Sequence, residues 1–180
     1  MITHQGKSSA RGNLFRLMLL AFGALLIGVA HAADGELEAK VKSAYLYHLT
    51  KFVDWPTLPP DSLRICVIGS EAVGNMLGEL SNRQVRDHPL RIDVDAIGDP
   101  ARCQVLFIGR GEKRAADILA RVRGQSVLTV SDRNDFAREG GIVGFYLEGG
   151  KVKLEINQEA ARTANLRISA KLLELARMVP

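Results

Sequence analysis

Leu63-Arg64-Ile65-Cys66-Val67-Ile68-Gly69-Ser70 is a short apolar run, rich in β-branched residues, that ends at Gly-Ser before a helical pattern. That combination reads as a buried parallel strand feeding a helix. It carries one of the two cysteines in the chain. The other, Cys103, opens a second run of the same kind, Cys103-Gln104-Val105-Leu106-Phe107-Ile108-Gly109. In a 2-1-3 strand order the first and third strands are neighbours, which sets the two cysteines at a spacing a disulfide can bridge.

The compartment decides whether that bridge forms. Lys7, Arg11 and Arg16 precede an uncharged apolar stretch from Leu17 to Val29, and Ala30-His31-Ala32 follows. This is the pattern of a cleaved export signal over residues 1–32, and the stretch is short for a membrane span. Residues 33–180 are then expected to form a single domain. In an exported chain two cysteines imply one disulfide, Cys66–Cys103, serving as a structural staple or as a redox switch.

Charge is read after the leader is set aside. The whole chain has 24 basic and 20 acidic residues. The leader holds three of the basic ones and no Asp or Glu, which leaves 21 basic against 20 acidic residues, a net charge of +1. The basicity belongs mostly to the leader and gives no support to nucleic-acid binding.

Working outward, Glu36 to Val53 reads as a helix, with Leu37, Val41, Ala44, Tyr45, His48 and Phe52 at helical spacing and Trp55-Pro56 as its stop. Ser70 is placed to cap a helix from Glu71 to about Leu80. Val85 and Leu90-Arg91-Ile92-Asp93-Val94 suggest a half-exposed edge strand. A helix is expected from Glu112 to Val122, closed by Gly124, and a third buried strand over Ser126–Asp132. Ile142–Leu147 and Val152–Ile156, joined through Glu148-Gly149-Gly150-Lys151, form the clearest hairpin. Asn157 caps a short helix through Ala164, and Leu172, Leu173, Leu175, Ala176 and Val179 predict a last helix from about Ser169 to Val179. The expected fold is a three-layer α/β sandwich, mostly parallel, with an antiparallel C-terminal hairpin at one edge.

Little in the chain looks catalytic. It has no G-x-S-x-G elbow, no H-E-x-x-H and no spare cysteine nucleophile, so no enzyme activity, metal or cofactor is expected. Asp132 with Asp135 offers at most a loose cation loop. Gly69-Ser70, Gly109-Arg110-Gly111 and Ser131-Asp132 fall at the carboxyl edge of a parallel sheet, where open α/β folds bind ligands. Arg162, Arg167 and Arg177 form a second candidate, since guanidinium groups suit phosphates and carboxylates. Trp55, the only tryptophan, is either a core lid or an interaction anchor.

Several stretches resemble one family. Lys42 to Pro56 (KSAYLYHLTKFVDWP) is similar to the opening motif of the YfiR family. Thr129-Val130-Ser131-Asp132, Phe136, Gly140 to Phe145, Glu155-Ile156-Asn157 and the closing Leu166-Arg167-Ile168-Ser169-Ala170-Lys171-Leu172-Leu173 resemble it too. The resemblance implies a periplasmic homodimer that represses an inner-membrane diguanylate cyclase by holding its periplasmic domain, with disulfide-dependent behaviour. It matches Cys66 and Cys103 to the family's cysteine pair; a second, later pair has no counterpart here. The apolar surface around the first helix and the hairpin, with Tyr45, Phe52 and Trp55, is the expected partner contact. The resemblance also implies a small-ligand site near the C-terminus, at Arg167, with Ser169 where a histidine is expected and Arg177 close by in sequence. A periplasmic binder of nucleotide-like or amino-acid-like molecules is the alternative function.

Overall fold

The computed structural model describes residues 35–95 and 98–180; the expected export signal lies outside the described residues. A helix over residues 35–52 (α1) leads into a short strand, Val53–Asp54 (β1). The anticipated parallel strand is Leu63–Ile68 (β2), followed by helix Glu71–Gly78 (α2). Gln84–Val85 (β3) and His88–Val94 (β4) form a hairpin, and a 3-10 turn, Pro100–Arg102, precedes Val105–Ile108 (β5). Helix Ala115–Val122 (α3) and strand Leu128–Ser131 (β6) follow. Val143–Glu148 (β7) and Lys151–Asn157 (β8) are the expected hairpin. Its Gly149 and Gly150 both adopt positive φ, 57° and 71°, as a two-residue turn with the right twist requires. Gln158–Thr163 (α4), Arg167–Ile168 (β9), Ala170–Leu173 (α5) and Arg177–Val179 (β10) complete the chain.

Eight strands form one sheet in the order β10-β8-β7-β6-β5-β2-β4-β3, and β1 pairs with β9 in a separate two-stranded ribbon. The strands β4, β2, β5, β6 and β7 run parallel in succession, so β2 lies between β4 and β5, as the 2-1-3 order requires. The hairpin lies toward one edge, and β10 adds a strand beyond it, parallel to β8 and so antiparallel to the other five.

Alternation along β2 builds two cores. Leu63, Ile65 and Val67 face a large cluster that includes Leu46 and Leu49 of α1 and Val73 and Leu77 of α2. Cys66 and Ile68 face the opposite cluster, with Ala115, Ile118 and Val122 of α3. The result is an α/β sandwich with helices on both sheet faces.

Two expectations are corrected. The inward face of α1 is Ala39, Lys42, Ser43, Leu46, Leu49 and Thr50, whereas Ala44 and His48 are exposed. Hydrophobic periodicity missed this face because half of it is polar: Thr50 donates to the Tyr47 carbonyl, Ser43 to the Lys40 carbonyl, and Lys42 is ion-paired. The last helix stops at Leu173, and the chain turns into β10. Arg177, Met178 and Val179 register against Glu155, Ile156 and Asn157, while Leu175 is left 73% exposed. The leucine spacing fits a helix, but pairing with β8 wins because it satisfies the backbone and brings Arg177 to the buried Glu155 carboxylate.

Candidate functional site

The ribbon β1–β9 joins the two ends of the described chain. Val53 pairs with Ile168 and Asp54 with Arg167, and the Ser169 amide donates to the Phe52 carbonyl at 2.9 Å. This seats the loop at Trp55-Pro56 beside the end of α4 and opens a cleft of about 520 Å³. Asp54, Trp55, Pro56, Arg162 and Arg167 line it. Asn157 starts α4 by accepting from the Ala160 amide, and Asn165, at φ 56°, turns the chain after it. Arg162 is held by Glu159 at 3.0 Å and Gln158 at 3.4 Å, whereas Arg167 has no ion pair among the described residues. Trp55 is only 8% exposed, and its buried Nε1–H has no acceptor among the described residues.

The arginines singled out in the sequence therefore separate. Arg162 and Arg167 share the cleft; Arg177 does not line it. Arg177 donates to Glu155 at 2.6 Å and stacks over the Tyr146 ring at 4.2 Å. The hydrogen bond to Glu155 raises the Arg177 pKa above its ordinary value, despite the opposing effect of desolvation. Ser169 caps α5 by accepting from the Leu172 amide. Sequence reasoning missed Asp54 as the partner across the ribbon, because a two-residue pairing across more than a hundred residues leaves no periodic trace.

Of the aromatic candidates, Tyr45 is half-buried with its ring 5.8 Å from Phe145, Phe52 is half-buried, and Trp55 is buried. At the hairpin, Leu147 is 53% exposed. Cys66 and Cys103 form a disulfide, with Cα atoms 5.9 Å apart in the α3-side core.

At the carboxyl edge of the sheet the protein's own charges pair with one another beside a cleft of about 230 Å³ lined by Glu38, Lys42, Arg110 and Asp132. Lys42 of α1 reaches Asp132 and Glu38 at 2.5 Å each. The Arg110 amide donates to Asp132 at 2.6 Å. The cation beside Asp132 is thus Lys42, and among the described residues no group of three His, Cys, Asp or Glu side chains could hold a metal. Gly109 packs so tightly that a Cβ there would stand 2.3 Å from the Gly69 carbonyl oxygen. Nearby, Glu112 accepts from the Arg114 side chain at 3.0 Å and from its amide at 2.9 Å. These bonds, chiefly the side-chain one, lower the Glu112 carboxyl to about 2.

The stretches Lys42–Pro56 and Leu166–Leu173 are the ones β1–β9 brings together. A family model described as DUF4154, YfiR/HmsC-like, matches residues 39–177 of the 180. The chain belongs to the YfiR/HmsC-like family. With membership comes a periplasmic regulatory role and a regulatory partner. In this YfiR/HmsC-like chain the two ends of the matched region build the Trp55–Arg167 cleft, while its middle forms the disulfide-bridged sheet. No described helix is long and apolar enough to cross a membrane.

Proposed function

We propose that this protein is exported by a cleaved leader and represses an inner-membrane diguanylate cyclase by holding its periplasmic domain. The observation that carries this reading is the family match over residues 39–177. The contact surface would combine the half-buried faces of Tyr45 and Phe52, the cleft wall at Trp55 and the exposed Leu147 on the hairpin. The protein acts as a homodimer and performs no chemistry of its own. The Cys66–Cys103 bridge supplies the redox response. A partner that binds only the ordered, oxidised state is released when that state opens, by linkage. The test is co-purification from oxidised membranes with a diguanylate cyclase identified by mass spectrometry and activity, repeated after reduction. Retention of the cyclase before reduction and its loss afterwards is the expected pair of results; an equal yield with and without reductant rejects the redox part, and no cyclase in either rejects the repressor.

A second reading is favoured by the cleft itself. Among the described residues Arg167 has no ion pair and the Trp55 indole N–H has no acceptor. A small anionic ligand with a flat apolar part would meet a guanidinium and an aromatic wall there. A thermal-shift screen of nucleotides and amino acids tests it: stabilisation by at least one, lost in Arg167→Ala, is expected. A screen with no stabilising compound counts against this reading and leaves the repressor reading to its own test.

A further inference from the structure

Residues of α1 and of the β7–β8 hairpin line the cleft of about 230 Å³ at the carboxyl edge of the parallel strands. Open α/β sheets bind ligands at this edge. Val143, Phe145 and Leu147 alternate onto one face of β7. Val143 and Phe145 are buried in the core shared with Leu46 and Leu49 of α1. Leu147, the next in that alternation, is 53% exposed in the cleft wall, beside half-buried Val152. A core-facing apolar position is thus left uncovered. Four charged side chains line the same cleft, two of each sign: Glu38 and Lys42 of α1, Arg110 after β5 and Asp132 after β6. Lys42 is fixed, 7% exposed and 2.5 Å from both carboxylates. Arg110 is held more loosely. Its side chain is 61% exposed and reaches Glu38 at 3.5 Å and Asp132 at 3.4 Å, while its amide already serves Asp132 at 2.6 Å. Glu38 takes both cations on Oε1, which leaves Oε2 without a partner among the described residues.

We infer that this cleft binds a small zwitterion with an aliphatic body, of the α-amino-acid kind. The four charged side chains sum to zero. A ligand bringing one charge alone would leave it unbalanced in a partly buried place, whereas a zwitterion brings both signs. Its carboxylate would take the Arg110 fork, whose present contacts are long, and its ammonium would meet Glu38 Oε2. Asp132 keeps Lys42 and the Arg110 amide when the guanidinium turns away. The aliphatic body would cover Leu147 and Val152. At about 230 Å³ the cleft is below the range of drug-sized sites, which restricts the ligand to a small molecule. It shares no lining residue with the Trp55–Arg167 cleft.

The experiment uses the purified protein and four probes: L-leucine; 4-methylpentanoate, which lacks its amine; 3-methylbutylamine, which lacks its carboxylate; and glycine, which lacks its aliphatic body. Calorimetry gives affinities, and amide NMR shifts locate the site. L-leucine is expected to bind saturably, with shifts at Arg110, Asp132 and Leu147. Each of the other three should bind at least about tenfold more weakly, as the loss of a charge-assisted contact or of the apolar cover implies. Arg110→Gln, at an exposed position, should erase the advantage of leucine over 3-methylbutylamine. Leu147→Ser, also at an exposed position, should erase its advantage over glycine. Equal affinity for leucine and either single-charge analogue, shifts confined to the Trp55–Arg167 cleft, or no saturable binding would each overturn the proposal.

Discussion

Lys42 is a charged residue on the inward face of a helix, and its side chain is 7% exposed. Such a charge is tolerated because Glu38 and Asp132 both meet it at 2.5 Å. Removing one partner from a buried pair strands the other, at a cost of about 3–5 kcal/mol. Lys42→Met is therefore expected to lower the urea midpoint with little change in slope; an unaltered midpoint would mean that Asp132 is adequately held by Arg110 alone. Glu112 supplies a pH test. Its carboxyl is held at about 2, below the unfolded value. Its contribution to stability is thus complete above the ordinary carboxylate range and fades as pH falls through that range toward about 2. A carbon-detected NMR titration should show Glu112 still ionised at pH 3.5, and Arg114→Ala should return it to ordinary behaviour. Gly109 is a third case. A methyl group there would meet the Gly69 backbone, which cannot swing aside as a side chain can; Gly109→Ala should lower the melting temperature, and an unchanged temperature would show that the β2 and β5 ends can part.

At the scale of elements, β10 depends on one polar contact as much as on its ladder. Glu155 is 4% exposed and is answered by Arg177. Arg177→Ala should free residues 177–179, seen as faster amide exchange there than in β8, whereas unchanged protection would show that backbone pairing is enough to hold the strand. The same element marks the limit of sequence reading. The strands β2, β5 and β6, the Gly-Gly hairpin and the Asn157 cap were legible, because continuous apolar runs and turn chemistry are local signals. The helix over 169–179 was misread because its leucine spacing is local, while the register with β8 is not. The inward face of α1 was misread because Lys42, Ser43 and Thr50 sit in the core with partners that hydropathy does not record. For the candidate cleft, Arg162 and Arg167 were visible as residue types, but Asp54 and Trp55 joined them only through the β1–β9 pairing.

In the whole molecule, the disulfide closes a 37-residue separation and ties Cys66 of β2 to Cys103, which follows the 3-10 turn just ahead of β5. Loop-closure reasoning assigns such a bridge roughly 3–4 kcal/mol. The Cys66→Ala, Cys103→Ala pair should lose about that much stability in denaturant unfolding while keeping the far-ultraviolet spectrum. A loss well below this would leave reduction too weak an event to release a bound partner. The regulatory account joins this stapled sheet to a surface formed by the two ends of the family region. Its central claim, repression of a cyclase, is tested most directly by measuring cellular cyclic-di-GMP with the gene deleted and then restored, the partner cyclase being verified as expressed. The account predicts a rise on deletion and a return to the original level on restoration; an unchanged level across all three strains would contradict it.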